Sequence, residues 1–221
     1  MAAVASGAVH LVQRLPAPVA VLLGLAALIA VAMPEIWSLV QHVGVIAHEG
    51  AHAFLSSSLG QQVDGVRLNT DGTGSTSIVG AAGSRMPATF IGYLGPSAFG
   101  LIAAALIAHN LIVAVLWTGV ILLLILLPSV RGVFGVLLVA GAGALLFLVA
   151  RYAPAFLEAM TAYALSWILL LGGVRTVLEH GTDASDAHAL RRITHLPRPL
   201  WVSLWAVGSL LALAIGCTLL I

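Results

Sequence analysis

Apolar residues run along this chain in blocks of about 20, the length a helix needs to cross the hydrocarbon core of a membrane. The blocks fall at roughly 16–33, 36–58, 88–108, 110–127, 132–150, 155–177 and 199–220. Polar breaks separate them at Pro34-Glu35, 59–87, His109-Asn110, Pro128 to Arg131, Arg151 to Pro154, and 178–198. The stretch 88–127 carries no charge and is too long for one crossing, so the pattern predicts a division at His109-Asn110. Seven spans follow with that division and six without it. The first block lacks a clear cleavage site before Pro34 and reads as a retained helix rather than a signal peptide.

The long break at 59–87 has a different character. It is rich in Gly, Ser and Thr, and Asp71-Gly72 lies between two short segments, Val66 to Leu68 and Ser77 to Val79, that alternate in polarity. Asp-Gly in that setting signals a two-stranded hairpin. The expected fold is an all-α polytopic membrane protein of six to seven helices, residues 1–221 forming one membrane domain, with a short β-hairpin after the second helix.

Composition removes the soluble classes. The chain is 61% hydrophobic and 8% charged, against about 25% charged for a soluble domain. A formal net charge of +1 gives no reason to expect nucleic acid as a partner. The nine basic residues are all arginine. With seven spans and a cytoplasmic N-terminus, every arginine except Arg151 falls on the cytoplasmic side, a strong positive-inside bias. Cys217 is the one cysteine and reads as a helix-packing residue.

Candidate chemistry then concentrates in the second block, at His48-Glu49-Gly50-Ala51-His52. On a helix His48 and His52 lie about 40° apart and one turn apart, so both imidazoles can reach one metal ion. Glu49 flanks them, placed to handle the proton of a water on that metal. Three ionisable groups within an apolar helix are costly unless they share a ligand. A catalytic zinc site takes three protein ligands and leaves a position for water, and the third should come from another segment. The 178–198 segment shares the predicted side of the membrane and offers Glu179, His180, Asp183, Asp186, His188 and His195.

These residues resemble the site-2 protease family of intramembrane zinc metalloproteases, most closely bacterial peptidase M50B-like membrane proteins. The resemblance rests on Ala47-His48-Glu49-Gly50-Ala51-His52-Ala53, on the hairpin that follows, on Gly95-Pro96, and on a late Ser185-Asp186-Ala187. It implies Zn2+ as cofactor, His48, His52 and Asp186 as ligands, and Glu49 as the general base. Asp183 and then His188 stand behind Asp186 as alternatives. No Asp-Gly follows residue 72, and no PDZ-like insertion is present. The implied activity is zinc-dependent endopeptidase cleavage in or near a transmembrane segment of a membrane protein substrate, within a multi-pass cell-membrane protein whose active-site side is cytoplasmic. The alternative is a non-proteolytic protein that keeps the fold and binds metal or serves an assembly.

Other polar positions carry weaker expectations. His42 lies off the metal face and reads as a packing residue, and His109-Asn110 as an external turn. His180 and His195 read as solvated, and Gln41 and Tyr93 as hydrogen-bonding within the bundle. Gly95-Pro96-Ser97 reads as the loosened start of a helix, and Trp37, Trp201 and Trp205 as anchors at the membrane interface.

Overall fold

The computed structural model describes residues 13–79, 85–180 and 185–221. Its elements in chain order are α1 (Ala17–Ala32), α2 (Pro34–Ser58), β1 (Gln62–Leu68), β2 (Gly74–Val79), α3 (Met86–Ala108), α4 (Ile112–Leu126), β3 (Val130–Arg131), α5 (Val133–Tyr152), α6 (Ala155–His180), α7 (Ser185–Thr194) and α8 (Arg198–Leu220). The chain is a helical polytopic membrane protein. By length and composition α3, α4, α5, α6 and α8 can each cross a membrane, and α1 with α2 forms a sixth unit bent by 104°.

That bend corrects the two separate spans expected over 16–33 and 36–58, and with them the count of seven. Pro34 is the cause. It occupies the first position of α2, where its missing N–H costs nothing, while Met33 before it is extended at φ −82° and ψ 121°. Arg175 of α6 closes the corner: its guanidinium donates to the Val31 carbonyl and lies 4.8 Å from the Trp37 ring centroid.

The bend also moves the N-terminal end. Arg14 donates to the Leu219 carbonyl at 2.7 Å, so α1 starts on the face where α8 ends. It runs beside α6, with Gly24 against Trp167, and reaches the opposite face at Val31 and Arg175. Arg14 and Leu219 thus lie at one end of the bundle, with the hairpin, α7 and the start of α8 at the other, and length and composition allow up to six crossings between them.

At the centre, α6 packs against α1, α3, α4 and α8, burying Tyr163, Trp167 and Leu170 among Ala20, Ala104, Ile107 and Leu116. Small residues set the spacing. Ser166 donates to the Gly100 carbonyl at 2.9 Å, and a Cβ at Gly100 or Gly173 would strike the facing helix. This is the close approach that small residues permit between membrane helices. By contrast α5 leaves Leu137, Leu145 and Leu148 exposed, an outward face suited to lipid.

The predicted hairpin is present. Its strands pair antiparallel with an irregularity between Val63 and Gly65, and Gly72 at the turn has φ +79°. Nothing in the pattern of residues around Val130 and Arg131 points to a third strand. Val130 and Arg131 pair parallel with Val66 and Arg67, giving the order β2-β1-β3. The hairpin is thereby tied to the α4–α5 connection, and among the described residues β2 has one free edge. His109 and Asn110 form the turn between α3 and α4, with Asn110 at φ 59°.

Candidate metal centre

His48 and His52 lie on the face of α2 that packs against α3, and α7 brings Asp186 up to them. His52 Nε2 is 3.2 Å from His48 Nε2 and 3.1 Å from Asp186 Oδ2, and His48 Nε2 is 3.3 Å from the same oxygen. Three donors about 2.0–2.1 Å from one zinc ion in tetrahedral array lie about 3.3 Å apart. The triangle fits that geometry, and these three residues form a group able to hold a metal ion.

The neighbours of the triangle set its chemistry. His52 Nδ1 donates to the Ala88 carbonyl at 2.7 Å, which fixes the ring with Nε2 turned towards His48 and Asp186. The His48 ring stands edge-on to Tyr93, with centroids 4.7 Å apart, and Tyr93 stacks on Trp205 at 4.5 Å. Trp205 in turn donates to the Phe90 carbonyl at 2.9 Å. Burial works against charge on Asp186, but hydrogen bonds with His48 and His52 outweigh it and hold the carboxyl below the usual range.

Glu49 does not join the triangle. It is 3% exposed, and its Oε2 accepts from the Thr76 hydroxyl of β2 at 2.6 Å. Gly74 packs on the same carboxylate so closely that a Cβ there would overlap it. The hairpin therefore lies along α2 and holds the Glu49 side chain, while its tip at Gly72 rests on Gln41. Between the hairpin, α2 and α7 lies a cavity of about 770 Å³, lined by Glu49, both histidines, Asp186 and the β2 residues 74–76 and 78.

Sequence reasoning brought four of these residues forward, and the structure gathers all four at one cavity. Asp183 lies outside the described residues. His188 points elsewhere: its Nε2 is 2.7 Å from Arg198 Nη1. His42 meets Phe134 edge-on at 5.6 Å, a packing role. Gly95-Pro96-Ser97 does not start a helix; it lies within α3, where Gly95 lets the helix touch Ala47 and Ala51. The tryptophans are corrected as well. Trp37, Trp201 and Trp205 are all buried, and they wall the site and brace the corner instead of anchoring at the interface.

Three contributors were missed. Thr76 holds Glu49. Tyr93 with Trp205 backs His48. At Gly92 a Cβ would fall inside contact distance of both histidine Nε2 atoms, so α3 can press against the triangle only where it has no side chain. Thr76 offered a signal, because it sits at an inward position of the alternating strand. Gly92 offered none beyond being one of 23 glycines.

A family model described as Peptidase M50B-like matches residues 21–216. No curated protein and no solved structure matches the chain.

Proposed function

The chain belongs to the peptidase M50B-like family, and from that premise we propose that it is a zinc-dependent endopeptidase acting on membrane protein substrates within the membrane. One observation carries the reading: three ligand-capable atoms 3.1–3.3 Å apart share a cavity with a buried carboxylate that does not join them. Metal storage has no use for Glu49. Hydrolysis does.

His48, His52 and Asp186 would hold the ion. When bound, zinc polarises the scissile carbonyl and brings the pKa of a water down to about 7. Glu49 accepts the proton of the attacking water and returns it to the leaving amine. Thr76, by hydrogen-bonding Oε2, keeps that carboxylate in one orientation. The Tyr93–Trp205 stack keeps the His48 ring upright and excludes water from behind it. The peptide must be extended for its carbonyl to reach the site, and the free edge of β2 offers it backbone groups to pair with. Residues 74–76 of that strand line the cavity directly.

Charge supports an orientation. Seven of the nine arginines lie on the site-bearing face, and only Arg14 and Arg151 lie on the other. The positive-inside rule favours a cytoplasmic site-bearing face, with both ends of the described chain external.

The test compares purified wild type with Glu49→Gln for zinc content and for cleavage of membrane proteins, mapped by sequencing new chain ends in cells. We expect equal zinc and accumulation of uncleaved membrane proteins in the variant. Identical membrane proteomes, with no cleavage by the purified wild type, would transfer the chain to the assembly-partner reading.

A further inference from the structure

The cavity is lined by more than the groups the hydrolysis uses. Arg85, just before α3, and Arg192 of α7 both face it. Arg192 lies six residues beyond Asp186, about 120° round α7, and both still line the cavity with Ala189 between them. Neither Arg85 nor Arg192 forms an ion pair among the described residues. Arg85 is half-buried, yet its Nε is buried with no hydrogen-bond partner among the described residues. Its remaining contact is a long bond of 3.4 Å from Nη1 to the Ile78 carbonyl. Ile78 belongs to β2, the strand with the free edge.

A half-buried guanidinium with an unmet donor costs free energy unless an anion completes it. That cation and the exposed Arg192, from separate elements beside one cavity, make a site for a carboxylate. The site cannot serve the residue at the scissile bond itself, because Glu49 and Asp186 would repel an acid there. It serves a residue further along the same strand. Arg85 touches the edge strand at Ile78, so a peptide paired along β2 and directed from Gly74 towards Ile78 would run onto it.

We propose that Arg85 and Arg192 form a recognition site for an acidic side chain of the substrate, placed where the extended peptide leaves the metal centre along β2. This rests on the peptidase reading for the substrate's path, but binding tests it independently of turnover.

The probes are two fluorescent peptides with the same apolar span and the same extended polar tail, one carrying two glutamates in the tail and the other two glutamines. They are titrated into full-length, zinc-loaded Glu49→Gln protein in neutral detergent, and anisotropy is read. The glutamate peptide should bind at least about ten-fold tighter, as expected for a charge-assisted pair, with the advantage shrinking as salt is raised. Combining Arg85→Gln with Arg192→Gln should erase the difference while zinc content stays at one per chain. Equal binding of the two peptides overturns the proposal, as does binding of neither. A preference that persists in the double variant overturns it too. If phosphatidylglycerol in the micelles erases the preference and phosphatidylcholine does not, the arginines form a lipid headgroup site and the proposal falls. Should wild type cleave neither peptide while the glutamate preference holds, the peptidase reading fails and this one stands.

Discussion

His52 is held from behind by Ala88, whose carbonyl accepts from Nδ1 at 2.7 Å across the α2–α3 contact. The contact fixes which nitrogen faces Asp186, and it depends on α3 lying close. Gly92, one turn further along α3, sets that distance.

Gly92→Ala should therefore disable metal binding without unfolding the bundle. A Cβ there would fall on both histidine Nε2 atoms, and α3 can yield only by withdrawing Ala88 from His52. We expect roughly 10–100-fold weaker zinc retention, the usual cost of losing a group that orients a ligand. Elemental analysis beside a thermal melt in detergent checks it. Zinc at the wild-type level would show that α3 moves freely and that the Ala88 contact is dispensable.

Asp186→Ala should lower zinc binding far more than Asp183→Ala. Among the described residues Asp186 is the carboxylate within 3.3 Å of both histidines, and removing it leaves two neutral ligands. Competition with a chelator of known affinity measures the difference. Retention by Asp186→Ala with loss in Asp183→Ala would pass the role to Asp183.

Glu49 and Thr76 should separate in degree. Glu49→Gln should cost about 10²–10⁴-fold in kcat with zinc retained, the usual contribution of a general base. Thr76→Val keeps the strand and removes one hydrogen bond to a carboxylate, so a loss of roughly ten-fold is expected, mostly in kcat. If Thr76→Val proves silent, the hairpin does not orient the base.

Reporter fusions before residue 13 and after residue 221 should both read as external, and fusions at residues 75 and 190 as cytoplasmic. The Arg14–Leu219 contact requires the first two to agree with each other. Opposite readings at the two ends would restore an odd number of crossings.

Much of the architecture was written locally. Apolar block length marked the helices, and Asp71-Gly72 marked the hairpin because positive φ suits Gly. The i, i+4 histidines share a face in any helix, whatever surrounds it. Asp186 was singled out within 178–198 only by resemblance, since 134 positions separate it from His52 and no local pattern spans that gap. The corner at Met33 was hidden for a different reason. Proline at the first position of a helix is ordinary, and only the Arg175 contact shows that the chain turns there. The tryptophans misled because interface and core both favour a large ring with one polar atom. Trp205 found its partner in the Phe90 carbonyl rather than in water.

The grip of Thr76 on Glu49 joins two things that a hairpin usually keeps apart, its pairing register and the aim of a distant side chain. Alternate residues of β2 face opposite ways. A slip of one residue would turn Thr76 outward and put Ser75 or Ser77 on the inner face in its place, so Glu49 would lose the threonine contact. The strand that receives a peptide would then no longer hold, through Thr76, the carboxylate that takes the proton of the attacking water. Alignment of the guest and readiness of the base are thus one setting, and the bulge at Val63 and Gly65 together with the tie to Val130 and Arg131 keeps the hairpin in it.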